Sequence, residues 1–562
     1  MLIQRKGLLL DGIGAELVRA SVGGVRKTLS QWLGLIPVTV STYAALTAQT
    51  RLATGGIYCT LGKAAFADGG FGFWRYDASS STTANGGTVL AIDGGGAGRF
   101  FRLMPDTGTY QLGWFNGATT NIATALQAAI DAIETAGGGA LVIPKPPGTQ
   151  WEINAAVTFD GTVPLEICGR GNPIIFQTAA AGGLVLGQDN VASQHLVRLR
   201  DFRLWSDGTG LIGIRAYDLA NLVFERVGFY KWGTGSLRAT ACYGLRLFEC
   251  RVVDDSASPQ SDYGIYLDEA TVNSCTIDGG SVAGFLGASA RGIVAVADAV
   301  SDGYGLTVQN VAFDDNTTDI EIDAGAGNAL IGLNVLNCYT ERTDAGGARF
   351  IRVQSGVPTK NVSWRNCQLI NKWVDIQAGD GVTEDSNTYH WNGTVINIGA
   401  SVTNWRLGNS QYPGGGTITI PDDREWQRVG AWASYAVAWT SSGTAPALGN
   451  GTMVAYYKRD GNTVFYRVRL VWGTTTTGGT GTWRFSLPFT GVALTSVYSG
   501  HAYYLDSGTT EGFNTLTPAI FGPSATYAAM RNNTGGAGVT ATSPITWATS
   551  DELHIQGCYE CA

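Results

Sequence analysis

At 562 residues the chain is too long for one core and is expected to hold two or more domains. Its 78 Gly and 15% charged residues suit a turn-rich all-β protein, and 16 Trp with 22 Tyr supply flat amphipathic side chains on which sugars or partner chains dock. A net charge of −8 with no run of Lys or Arg argues against a nucleic-acid partner.

The start, Met1 to Asp11, carries only Leu8-Leu-Leu10 as an apolar run. That is too short for a secretory core or a membrane span, so the expectation is synthesis in the cytoplasm, with any exit independent of a signal, and no membrane insertion. Residues 1–40 are too few for a core of their own and suit an attachment peptide that folds against something else. Residues 41–105 read as a compact β-rich module. Tyr43-Ala-Ala-Leu46 starts a short helix after Ser41, and Gly-rich turns separate strands at Gly55–Tyr58, Gly70–Tyr76, Gly86–Leu90 and Gly98–Leu103.

Residues 120–136 are the one strong helix, with Ile122, Leu126, Ile130 and Ile133 on one stripe and Thr119 or Thr120 as its cap. It ends at Gly137-Gly-Gly139. Lying just before a repetitive β region, it is placed to cover the open edge of a terminal coil.

That region repeats the pattern apolar-x-apolar-x-x-apolar-x-apolar every 23 to 36 residues. It reads Val197-Arg-Leu199-Arg-Asp-Phe202-Arg-Leu204, then recurs from Leu222, Leu245, Ala270, Leu306, Leu333 and Val362, with a weaker frame opening at Tyr389. A second short strand recurs inside the units, as in Gly213-Ile-Arg-Ala216 and Gly264-Ile-Tyr-Leu267. Alternation of period two makes the units strands, and a fixed period makes them coils that bury their apolar faces only by stacking. The implied architecture is a parallel β-helix over 106–405.

Nine Cys leave an odd one. Cys250, Cys275, Cys338 and Cys367 fall at the sixth position of the frame, so they are expected to point inward and stack, 250 over 275 and 338 over 367, as reduced core residues. In-register parallel side chains fit disulfide torsions poorly. Cys558 and Cys561 have no second Cys pair or His pair to complete a zinc site, and their spacing on a strand puts them on opposite faces, which leaves interchain bridges open.

The run Trp114-Phe-Asn-Gly-Ala118, Ala123-Leu-Gln-Ala-Ala-Ile-Asp131, Gly137-Gly-Gly-Ala-Leu-Val-Ile-Pro144 and Ile167-Cys-Gly-Arg-Gly171 resembles the entry of pectate-lyase-like β-helix proteins, and most of all that of bacteriophage tailspikes. The resemblance covers roughly residues 40–400. It implies an all-β chain whose rod is a right-handed parallel β-helix, with a small head module ahead of it. Asn116-Gly-Ala-Thr-Thr-Asn121 stands where the family usually has Gly-Asp-Gly and Asp-Asp, a departure that bears on substrate more than on fold.

Residues 406–424 read as a linker. Residues 425–562 form a different all-β unit, similar to the β-sandwich or jelly-roll ends of phage tail proteins that trimerise or bind receptors and glycans. Met453 to Trp472 is a hairpin turning at Asp460-Gly461, with Val464, Tyr466, Val468 and Leu470 on one side and Arg467 and Arg469 on the other. Trp483–Pro488, Ile545–Trp547 and Asp551–Gln556 add strands.

Position nine of the aligned frames should point outward. It holds Trp205, Tyr230, Val253, Asp278, Asp314, Glu341 and Ile370, and the next two positions add Asp207, Trp232, Asp254, Asp255 and Asp315. Carboxylates on adjacent coils would lie about 5 Å apart and on alternate coils about 10 Å, which brackets the separations in retaining and inverting glycosidases. The candidate chemistry is a glycan groove with Asp278, Asp314, Asp315 and Glu341 as acid and base, and Trp205, Tyr230 and Trp232 as stacking platforms. The competing reading is that Asp at a strand end caps a turn. His195, His390, His501 and His554 are too scattered for a metal site, neither a Gly-x-Ser-x-Gly nor a phosphate loop occurs, and no cofactor is expected.

The resemblance and the stripe together point to a homotrimeric phage tail spike or fibre in the virion tail. It would hold tail or baseplate proteins through its N-terminus and recognise host surface polysaccharide for adsorption, with or without cleaving it. The alternatives are a secreted polysaccharide lyase or hydrolase, and an adhesin without activity.

Overall fold

The structure, a computed structural model, describes residues 20–22, 25–27 and 38–561, leaving out 105–107, 118, 179–182, 209–211, 255–260, 269–272, 297–302, 324–328, 344–347, 414, 421–431, 461–462, 493–497, 510–513, 521–525 and 533–536. Its central feature is a parallel β-helix. One face is a ten-stranded parallel sheet running from Trp151–Ile153 to Thr388–His390, and two further faces belong to a 23-stranded sheet. Each coil therefore visits three faces before stacking on the next.

The repeat has a direct structural cause. In the coil of Ser193–Arg200 and Arg203–Ser206, Val197, Leu199, Phe202 and Leu204 are fully buried. Strict alternation would turn Phe202 outward. The backbone instead makes a left-handed bend at Asp201, and the same position is left-handed at Arg226, Glu249, Asn310, Asn337, Asn366 and Ser386. One such residue per coil swaps the inward phase, which is why two outward positions separate the apolar pairs.

That bend also corrects two frames. In the fourth coil it falls on Gly279, and the register pairs Leu247 with Ile277 and Cys275 with Leu306. The frame therefore opens at Cys275, not Ala270. Gly280 occupies the sixth position, where a Cβ would lie 1.8 Å from the Cys250 carbonyl oxygen. Likewise Tyr389 pairs with Leu369 as an inward residue of a frame opening at Val382, and does not start one. Cys275 is thus not stacked on Cys250. Cys338 and Cys367 do share the sixth position, and all four are buried free thiols.

Helix Ala123–Thr135 buries Leu126, Ile130 and Ile133 in the same core as the first coils. Neither Thr119 nor Thr120 caps it: the Ala123 N–H donates to the Asn121 carboxamide at 3.1 Å, while the Thr119 hydroxyl donates to Asn116 and to the Asn121 carbonyl. Ahead of it, strands Val38–Val40, Ile57–Thr60, Gly72–Asp77, Arg99–Leu103 and Val89–Ala91 form a five-stranded sheet beside helix Tyr43–Thr47, which Thr42 caps. Arg102 joins this module to the rod's entry, its guanidinium 4.4 Å from the Trp74 ring and 4.5 Å from that of Trp114. Of residues 1–40, only two short paired strands, Ala20–Val22 and Val25–Lys27, and the first strand of the module are described.

The parallel ladder continues to Thr417–Thr419, which pairs with Thr394–Thr403, inside the stretch expected to be a linker. Beyond it lies a nine-stranded antiparallel sheet. The sheet folds back on itself: Trp439 on one edge strand packs against Trp472, which follows a strand from the other half, around a shared aromatic core. The expected hairpin is Thr452–Asp460 with Thr463–Val471, its turn lying outside the described residues. Residues 545–547 form no strand, and the last strand is Glu552–Glu560.

Candidate functional site

Hydrogen-bond register aligns the outward side chains of the ten-stranded face without ambiguity. Trp205 pairs with Tyr230, Tyr230 with Val253, Val253 with Ala283, Ala283 with Asp314, Asp314 with Glu341, and Glu341 with Ile370. Six members of the expected stripe thus form one column. Asp278 does not belong to it, and Ala283 takes its place. Asp278 sits one face earlier, where its carboxylate accepts from Gln309 at 2.9 Å and Asn310 at 2.8 Å, a cross-coil clasp.

Two further corrections follow. Trp232 is 1% exposed and packs against Gly213 in the core, so it offers no ring to a ligand. Asp315 has a left-handed backbone at the corner after the strand, and its carboxylate accepts from both the backbone N–H and the hydroxyl of Thr343 at 2.8 Å. That is the duty of an acid at a turn. Asp254 is also buried, accepting from the Ser261 N–H, Asp207 is exposed, and Asp255 lies outside the described residues.

At one end of the column the Trp205 and Tyr230 rings lie 5.2 Å apart, tilted by 38°, and the Arg251 guanidinium lies 5.9 Å from the Tyr230 ring. Val253, 8% exposed, and half-buried Ala283 follow. Three rungs beyond Tyr230, roughly 14 Å along the rod, Asp314 and Glu341 stand on adjacent coils. Tyr339, 37% exposed, donates its hydroxyl hydrogen to Glu341, and this contact raises its own phenol to about 12. Among the described residues the Asp314 carboxylate has no hydrogen-bond partner. Partial desolvation, then the charges of Asp315 and Glu341, hold its carboxyl above the usual range, with Lys372 opposing.

The corner beneath these acids is tied together by buried polar contacts. Lys372 and Asp319, both fully buried, pair at 2.9 Å, and Lys372 also donates to the Asn316 carbonyl at 2.7 Å. Asn316 bridges Asp319 and the Val282 carbonyl, and Thr340 donates to Asp319. Tyr339 and Arg251 were absent from the sequence-derived stripe. Both occupy position seven of the frame, which also points outward, so reading that position alongside the ninth would have found them.

Among the described residues no cluster of three His, Cys, Asp or Glu could hold a metal ion, and no helix is long and apolar enough to cross a membrane.

No family model matches the chain. It is 24% identical over 513 residues to the Mu-like prophage FluMu defective tail fiber protein of Haemophilus influenzae, covering 85% of this chain and 77% of that one. The tailspike gp42 of Acinetobacter phage vb_AbaP_AS12 superposes with a TM-score of 0.50 over 90% of this chain and 96% of that one, at 10% identity. The fold is that of the phage tailspikes. Another tailspike, gp49 of Acinetobacter baumannii bacteriophage Fri1, a capsular polysaccharide depolymerase, matches at a TM-score of 0.47 and 13% identity over 93% of this chain and 98% of that one. On the tailspike-type rod described here, the aromatic pair and the acid pair share one face and one register.

Proposed function

We propose that this chain is a phage tail spike or tail fibre that binds host surface polysaccharide along the Trp205–Glu341 column and cleaves it at Asp314 and Glu341. One observation carries the reading: two neighbouring aromatic side chains and two carboxylates without an ion-pair partner among the described residues lie on a single in-register ladder of a tailspike-type rod. Aromatic faces suit the apolar faces of pyranose rings. Adjacent coils are about 4.8 Å apart, close to the roughly 5–5.5 Å between carboxyl groups of retaining glycosidases.

In that mechanism Asp314, whose carboxyl is raised above the usual range by partial desolvation and the neighbouring Asp315 and Glu341 charges, acts from its protonated form and gives its proton to the glycosidic oxygen as the C–O bond breaks. Glu341, oriented by the Tyr339 hydroxyl, attacks the anomeric carbon. Water, deprotonated by Asp314, then releases the sugar. Residues 1–40 attach the spike to the tail or baseplate, the working unit is a homotrimer, and its place is the virion tail. The tail fibre relative and the rod's architecture support this assignment.

The test incubates the purified trimer with host surface polysaccharide and follows chain length and new reducing ends. Shortening that is lost in Asp314→Asn and Glu341→Gln supports a depolymerase. Binding without shortening makes the column a receptor site and overturns the catalytic step. No binding at all overturns the reading.

A further inference from the structure

The terminal sheet carries a second cluster whose chemistry the rod does not use. Four adjacent strands hold their inward row, Ala455, Val468, Ile555 and Ala502, in register and buried. Period two then fixes what lies outside on either side of that row. One outer row is Val454, Arg469, His554 and Tyr503, and the other begins with Tyr456 and Arg467. Together they line a cleft of about 290 Å³.

Its polar groups are unequally satisfied. Arg469 is bound bidentately by Glu552 at 2.9 and 2.6 Å, and His554 also meets Glu552 at 2.7 Å. Arg467 has no carboxylate partner among the described residues. Its guanidinium lies over two aromatic rings, 4.4 Å from Trp432 and 5.0 Å from Tyr456. Tyr503 and His554 stack nearly parallel, 4.5 Å apart at 12°. The cleft therefore combines a flat aromatic wall with an oriented, un-neutralised guanidinium, on a chain whose net charge is −8. A rigid fork of N–H donors beside a ring-sized platform matches a sugar that carries an anionic substituent.

We propose that this cleft binds an anionic pyranoside, its ring against Tyr503 and His554 and its carboxylate or phosphate on Arg467. The inference deepens the glycan-binding reading above, yet the cleft is separate from the rod column, so the two fail independently.

The test titrates the full-length protein, by calorimetry and saturation-transfer NMR, with three oligosaccharides: one bearing glucuronate, one bearing a sugar phosphate, and a neutral one of the same length. The expected result is binding of one or both anionic forms at least tenfold more tightly than the neutral form. That preference should vanish in Arg467→Gln, a loss of about 1.4 kcal/mol per factor of ten, and persist in Asp314→Asn. Glucuronate and phosphate arms separate the two anion types. Equal affinity in native protein and Arg467→Gln overturns the proposal. So does loss in Trp205→Ala with retention in Arg467→Gln, which leaves only the rod site. If Arg467→Gln instead changes the oligomeric state by light scattering, the face is an interface between copies and the proposal fails. Tyr503→Ala, with the sheet's register untouched, provides a second variant expected to weaken all pyranosides alike.

Discussion

Replacing Lys372 by Met tests whether the corner beneath Asp314 is held by a buried charge. The ammonium and the Asp319 carboxylate are both fully buried and 2.9 Å apart. At an effective dielectric of about 20, their attraction is roughly 6 kcal/mol, most of it offset by desolvating both ions. Removing one partner is different, because the remaining charge stays buried with only the Asn316 and Thr340 donors. The expected loss is about 3–5 kcal/mol at pH 7.5, read as a lower urea midpoint by fluorescence of the core residues Trp364 and Trp405 at matched protein concentration. The pH dependence has a fixed sign. Burial already holds the Asp319 carboxyl above its usual range, with Lys372 opposing, and loss of Lys372 raises it further. A carboxyl whose folded value is raised binds a proton the unfolded chain releases. Stability is then greatest below about pH 4, the ordinary Asp value, and falls as pH climbs through the folded value. The variant's deficit should therefore shrink between pH 7.5 and pH 5. Lys372→Met combined with Asp319→Leu should recover more than half of the loss. A deficit under about 1 kcal/mol, or one unchanged at pH 5, would refute the buried-pair account.

Other consequences concern the column and the thiols. Trp205→Ala removes one ring of the aromatic pair and should weaken polysaccharide binding several-fold, in line with about 0.5–1.5 kcal/mol for such aromatic contacts, as measured by calorimetry, with the melting curve unchanged. If Asp314 is the proton donor, cleavage should fall as pH rises through its elevated carboxyl value, and Asp314→Asn should remove that limb of the pH–rate profile while sparing binding. Thiol labelling of the native protein should modify Cys558 first, since it is the exposed one of the nine free cysteines. Burial pushes the Cys242 and Cys250 thiols up to about 12, so both should react only after unfolding.

Legibility of the chain follows from which physical rules are local. The coil was readable because one left-handed residue and four inward side chains repeat, as in Val197, Leu199, Phe202 and Leu204 around Asp201. It was misread where Gly280 stands at an inward position, because a glycine chosen for its close approach to the Cys250 carbonyl carries no apolar signal. A false frame at Ala270 then borrowed Cys275 and Ile277, which are inward for a different reason, and drew Asp278 into the column. The acid pair survived, since Leu306 and Leu333 keep their frames and Asp314 and Glu341 fall in register. Corner geometry was out of reach: nothing local distinguishes Asp314 on the strand from Asp315 in the left-handed turn, and only the Thr343 contacts assign the second acid to the bend. The terminal cleft was half visible. The hairpin pattern put Arg467 and Arg469 outward, but which strand lies beside that hairpin is set by the fold. Glu552 arrives from 83 residues away to neutralise Arg469 and, among the described residues, leaves Arg467 without a carboxylate, and that difference, invisible in the pattern, is what the proposed anion preference of this outer face rests on.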